Sequence, residues 1–179
     1  MGQEMVKSST PAPCRTKMKE AIKIIMSGDE KEFNNFLISF RDEFNKLAPE
    51  EIAYPRSVNG IKKFGCGHSV FKKGSPMHIK GCLIYNHMIR QKKLTNKYPI
   101  IQDGEKIKYL ELRQPNPLAC NVISFATKVP KELDIYKYID YDSQYMKSFV
   151  EPLSFITNQI GWSIDRSFGT QTTLEDFFG

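Results

Sequence analysis

Apolar residues recur at helical spacing through the first quarter of the chain. Met18, Ala21, Ile22 and Ile25 form a stripe behind Ser8-Ser9-Thr10-Pro11, where Thr10 is the expected N-cap and Pro11 falls in the first turn. Gly28 stops that helix and Asp29 caps the next, which carries Phe33, Phe36, Leu37, Phe40, Phe44 and Leu47 on one face and ends at Pro49. Two such helices joined tightly predict an antiparallel hairpin whose aromatic face is core. A third helix is expected from Pro76 to about Lys93, with Ile79, Cys82, Leu83 and Met88 along it.

Between these lies mixed sequence. Ile52-Ala53-Tyr54 reads as a short extended piece and Ser57 to Lys63 as a short helix, followed by a connection containing Gly65, Gly67 and Gly74. Pro99 to Gln102 and Lys106 to Leu112 read as strands joined around Asp103-Gly104, a hairpin signal, and Asn121 to Ala126 as a third strand. Pro130 opens a last helical region to about Gly161, which Pro152 should kink or divide. The opening Met1–Lys7 reads as a short extended strand. The pattern predicts an α+β, mainly helical fold with a small antiparallel β insertion.

A chain of 179 residues suits one domain, or one domain with an appendage. Mean hydropathy of −0.43, with no apolar run long enough to span a bilayer, argues against a membrane partner. Nothing at the N-terminus reads as a signal peptide, and Val6 stands where a myristoylation start needs Ser or Thr. Four scattered cysteines fit reduced thiols, hence a cytoplasmic location. The net charge of +6 changes the picture more, because it favours an anionic partner, most commonly nucleic acid.

The basic residues cluster. Lys62, Lys63, Lys72 and Lys73 flank the glycine connection, Lys80, Arg90, Lys92 and Lys93 lie along the third helix, and Arg113 follows a strand. Lysines beside a glycine-rich loop that leads into a helix suit phosphate contact, although the same spacing also suits a solvated face. Cys66-x-His68 with His78-x-x-x-Cys82 offers the donors of a tetrahedral zinc site. The spacer in the first pair is short and Cys82 falls on the apolar stripe, so no metal ligand is expected. Tyr138-Ile139-Asp140-Tyr141-Asp142-Ser143 resembles Y-x-D-T-D-S, the metal-binding carboxylates of family B DNA polymerases. That chemistry needs a tight β-hairpin and a distant third carboxylate, whereas Asp142 reads as the N-cap of the last helix. No catalytic residue is expected in this chain.

The last residues, Gln171 to Gly179, read Q-x-x-L-x-x-F-F. One helical turn puts Leu174 and Phe177 on the same face, and Phe178 completes an apolar plug while Glu175 and Asp176 face solvent. Such a segment either folds back onto the core or docks into a partner's groove. Burying the three side chains contributes about 5–9 kcal/mol, and ordering the tail takes back about 2–5 kcal/mol. Docking alone is therefore weak and gains from a second tether. The pattern resembles the box by which replication proteins bind sliding clamps, through Gln171, Leu174, Phe177 and Phe178.

Several stretches together resemble T-even-type phage family B replicative DNA polymerases. Gly2 to Pro11 is similar to the segment leaving their palm, and His78-Ile79-Lys80-Gly81-Cys82-Leu83-Ile84-Tyr85-Asn86 to their thumb motif H-I-[RK]-G-x-L-x-Y-N. Leu112-Arg113, Asn116-Pro117 and Lys147 to Leu153 continue the match in order, up to the clamp-type peptide. The resemblance implies a palm-edge strand at 1–10, a thumb at 11–168 and a clamp-binding peptide at 169–179. It implies that Lys7, Lys80, Tyr85, Asn86, Arg90 and Arg113 face primer–template DNA. It also implies an N-terminal polymerase portion as partner, carrying exonuclease, fingers and a palm that would hold Mg2+, with no cofactor in this chain. Gln114-Pro115 departs from the family's acidic residue and glycine. Two other readings stay open: a free-standing clamp-binding regulator, and a metal-dependent nuclease or nucleotidyl transferase using Asp140 and Asp142.

Overall fold

The computed structural model describes residues 7–164 of the chain. The segment from 1 to 6 lies outside the described residues, as do Gln171, Leu174, Phe177 and Phe178. One hydrophobic core runs through the described part, and the fold is α+β and mainly helical with one small sheet. No helix among the described residues is long and apolar enough to cross a membrane.

Helix α1 (Ala12–Ser27) buries Cys14, Met18 and Ala21. Its N-cap is Pro11 and not the expected Thr10. Thr10 is buried in a turn that hands its N–H to the Lys7 carbonyl at 3.1 Å, and Pro11 holds an extended backbone that starts the helix one residue later. Helix α2 (Glu30–Phe44) begins as expected, with Asp29 accepting the Glu32 N–H at 2.8 Å. Its buried face of Phe33, Leu37, Phe40 and Phe44 packs against the last helical region, while α1 and α2 also pack on each other as the predicted hairpin. The Phe40 ring stands edge-on to Phe149 at 4.7 Å and to Tyr145 at 5.7 Å. Tyr145 also donates its hydroxyl to the Leu37 carbonyl at 2.7 Å.

A short helix α3 (Pro49–Ile52) leads into β1 (Tyr54–Ser57). The sheet is antiparallel in the order β1, β2 (Lys106–Glu111), β3 (Val122–Phe125), with Tyr54 opposite Tyr109 and Tyr109 opposite Ser124. Here the expected hairpin is corrected. Pro99 to Gln102 is not a strand, and the turn at Asp103-Gly104 delivers β2 to β1 instead. Gly104, at φ +88°, donates its N–H to Val58 O at 2.8 Å, and the Asp103 carboxylate accepts the Ile61 N–H at 2.7 Å. That second bond starts helix α4 (Ile61–Phe64), which is shorter and later than the helix expected from Ser57.

Helix α5 (Met77–Gln91) packs across β3. Gly81 makes the approach possible, since a Cβ there would lie 2.3 Å from Ser124 Oγ and 2.7 Å from the Ser124 backbone nitrogen. The Ser124 hydroxyl donates to the His78 carbonyl at 2.7 Å and locks the pair.

After 3-10 turns at Lys131–Leu133 and Tyr136–Tyr138 comes α6 (Tyr141–Tyr145), then a π turn (Met146–Val150) and α7 (Glu151–Gln159). Pro152 sits in the first turn of α7, where its missing N–H is harmless, and the wide π turn before it is the expected division. The N-cap of α6 is Asp140, which accepts the Ser143 N–H at 2.9 Å. Asp142, the expected cap, instead pairs with Arg41 at 2.8 Å. Buried Gln144 ties three elements together. It donates to Ile52 O at 2.9 Å and accepts the Glu111 N–H at 3.0 Å.

Candidate nucleic-acid interface

The glycine connection between α4 and α5 is fastened by its own lysines. Lys72 N–H donates to Phe64 O at 2.8 Å, and the Lys72 ammonium donates to Lys63 O at 2.7 Å. Lys80, in the first turn of α5, lies 4.8 Å from the centroid of the Phe71 ring and donates to the Asn121 side chain at 2.8 Å. A cationic amine thus bridges the loop and the residue ahead of β3. Lys62, Lys63, Lys72 and Lys73 are exposed around this connection, as are Arg90, Lys92 and Lys93 at the end of α5.

A cleft of about 800 Å³ separates the connection from the C-terminal half of α5. Lys62, His68, His87 and Arg90 bring basic side chains to it, and Cys66 and Asp103 also line it. Cys66 is exposed, and its thiol is held below the ordinary cysteine value chiefly by the His68 backbone N–H, with Ser69 and Lys72 assisting. His87 is the residue that the sequence reading missed. It follows Leu83 by four positions and precedes Arg90 by three, which sets it on their face of the helix.

The residues expected to face DNA separate into two groups. Arg90 stands exposed on the cleft. Arg113 is exposed too, with its guanidinium donating to Lys137 O at 2.6 Å and its backbone N–H to Tyr138 O at 2.7 Å. Lys80 is half-buried in its bridge, and Lys7 is exposed ahead of the turn into α1. Tyr85 and Asn86 turn inward, with 2% and 5% of their surfaces exposed. Tyr85 donates to Pro99 O at 3.2 Å, and burial pushes its phenol up to about 12. Both ends of the Asn86 amide are consumed by Ile101. Both side chains thus spend their polar atoms on the backbone of 99–101, as buried polar groups must, although Asn86 also lines the cleft.

The possible zinc donors stand apart in character. Cys82 is buried against β3, and burial pushes its thiol up to about 12. Cys66 is exposed on the loop. Among the described residues, no group of three or more His, Cys, Asp or Glu side chains could hold a metal ion.

Comparison with known proteins gives this surface its context. No family model matches the chain. The DNA-directed DNA polymerase of Enterobacteria phage T4 is 30% identical over 184 aligned residues, which take in 100% of this chain and 19% of that protein. The chain is homologous to a segment of phage DNA polymerases. The DNA-directed DNA polymerase of Escherichia phage RB69 is 32% identical over 163 residues, covering 88% of this chain and 18% of its own length. The chain therefore spans about a fifth of the length of these polymerases. The aligned stretch takes in the basic connection, α5 and the sheet, so the surface just described lies within the region of similarity.

Proposed function

We propose that this chain is the thumb portion of a family B DNA polymerase. It holds primer–template duplex against the basic surface around the glycine connection and α5. It completes a polymerase whose exonuclease, palm and fingers, with the Mg2+ of the palm, reside in another portion. Residues 171–179 tether the assembly to a sliding clamp, and the complex works in the cytoplasm as part of a phage replisome. The observation that carries this reading is similarity to phage DNA polymerases along the whole chain, coupled to a net charge of +6.

The chemistry asked of this chain is grip and placement. Exposed lysines and Arg90 neutralise phosphates and release counterions, which gives affinity without sequence preference. The clamp peptide adds a second weak contact, and linking two weak contacts raises processivity through effective concentration. Primer extension by the polymerase portion, with and without this chain and without clamp, tests the central claim. Extension should lengthen when the chain is added. No change would overturn the thumb assignment. Phe177→Ala/Phe178→Ala should remove only the further gain seen when clamp is present.

A further inference from the structure

After α7 the chain turns back on itself. Gly161, at φ +75°, makes the turn, and the Trp162 N–H donates to Thr157 O at 3.0 Å. The Trp162 ring then lies 5.9 Å from that of Phe33 on α2. Ser163 is pinned to the same helix. Its N–H and hydroxyl donate to the Glu30 carboxylate at 2.6 and 3.0 Å, and its carbonyl accepts from the Asn34 amide at 3.2 Å. Residues 162–164 are thereby folded against α2 and α7. Ile164 lines a groove of about 260 Å³ together with Met146, Val150, Glu151, Ser154 and Asn158.

Exposed apolar side chains border this groove. Phe155 follows Glu151 by four positions and precedes Asn158 by three, which sets it on their face of α7, and 75% of its surface is exposed. Ile38 stands in the same relation to Asn34 and Arg41 on α2. Asn34 reaches Ser163, and Arg41 reaches Asp142 at 2.8 Å, so Ile38 faces the chain's exit with 47% of its surface exposed. One exposed apolar residue is ordinary, but here two flank a groove already walled by Met146, Val150 and Ile164.

We infer that the groove receives the chain's own segment 165–179, with Leu174, Phe177 and Phe178 seated between Ile38 and Phe155. Those three side chains share the apolar face that the segment cannot bury within itself. The segment starts at the groove, directly after Ile164. From there to Leu174 and Phe178 a chain extends about 33 and about 50 Å, against about 14 Å for the length of α7, so reach does not limit docking. A tether this short holds the segment at a local concentration in about the millimolar range, which a second copy or a separate protein would have to match in solution. The groove is also smaller than the about 300–1,000 Å³ of a small-molecule pocket, which suits a few side chains of a peptide. Docked there, the segment keeps its apolar face from water and out of a partner's reach until something binds it more tightly.

A nitroxide attached at Thr173→Cys, in the full chain with exposed Cys66 replaced by Ser, tests this through the broadening of backbone amide signals. The signals of Ile38, of 146–158 and of Ile164 should lose most of their intensity. Phe155→Ser and Ile38→Ser, both at exposed positions, should restore those signals, and so should Phe177→Ala/Phe178→Ala. Broadening centred on another surface, or spread evenly over the molecule, overturns the inference. Broadening that persists in all three variants shows proximity without apolar docking and overturns it too. Broadening reproduced in a mixture of spin-labelled chain with isotope-labelled chain makes the occupant a second copy and likewise overturns it. Neither clamp nor polymerase portion enters the measurement, so failure of this docking leaves the proposed function standing, and failure of that function leaves the docking to be read as before.

Discussion

Asn86 closes a two-point bracket with Ile101, donating to its carbonyl at 2.8 Å and accepting its N–H at 2.8 Å. The amide imitates a strand partner for the stretch after Pro99, which is why that stretch joins α5 and not the sheet. Asn86→Leu would leave a buried N–H and a buried carbonyl of Ile101 without partners. The expected loss is about 2–4 kcal/mol, read as a lower urea midpoint. Asn86→Asp keeps the acceptor but sets a lone pair against the Ile101 carbonyl, so it should also lose stability. An unchanged midpoint in Asn86→Leu would show that the bracket carries no weight.

Gly81→Ala should destabilise through contact with β3. The added Cβ would meet the Ser124 hydroxyl and also the Ser124 backbone nitrogen, so α5 must shift. Overpacking of this kind costs about 1–3 kcal/mol. Removing the hydroxyl in Gly81→Ala/Ser124→Gly should recover only part of the loss, because the backbone contact at 2.7 Å persists. Thermal melting of the single and double variants checks both halves, and full rescue would contradict the backbone contact.

Much of this architecture could be read in the sequence, and the exceptions have physical causes. Asp29, Gly28 and the Phe33–Phe44 periodicity marked α2 because caps and apolar spacing act locally. The 106–112 and 121–126 strands were legible for the same reason. Pairing was not: Asp103-Gly104 supplies a turn without saying which strand it serves, and Asn86 lies too far along the chain to be seen as its competitor. The same limit affected the candidate site. Basic residues announce an electrostatic surface, and Arg90 and Lys62 do line one cleft. Tyr85 and Asn86 sit in the same motif as Lys80, yet helical phase alone does not reveal that the loop at 99–101 covers them.

The Lys97–Glu132 pair gives the surface a pH signature. Glu132 is held down at about 2 by Lys97 first and Tyr98 second, below its ordinary value of 4.5. A depressed carboxylate adds stability that is fully present above the ordinary value and fades as pH falls from about 4.5 to about 2. The Lys97 ammonium is raised by the same carboxylate, so its share is present at neutral pH and fades only as pH rises through its elevated value. Glu132→Gln should therefore melt below wild type at neutral pH, by a small margin fitting an exposed pair. The two melting curves should converge toward pH 2, and a gap constant through that window would assign the effect to something other than ionisation.

Cys66 offers a direct probe of the proposed DNA surface. It is exposed, while Cys14, Cys82 and Cys120 are buried, and burial pushes the first two thiols up to about 11 and about 12. Its own thiol is lowered, with the His68 backbone N–H as the leading cause. A thiol reagent should therefore modify Cys66 first, and its rate should reach half-maximum below the ordinary cysteine value of 9.0. Duplex DNA seated beside the cleft should slow that reaction, and added salt should restore it as phosphate contacts are lost. Arg90→Gln should weaken the protection and lower the salt slope of DNA binding by about one. Labelling equally fast with and without saturating duplex would place the DNA away from this cleft and direct attention to Arg113 and Lys7.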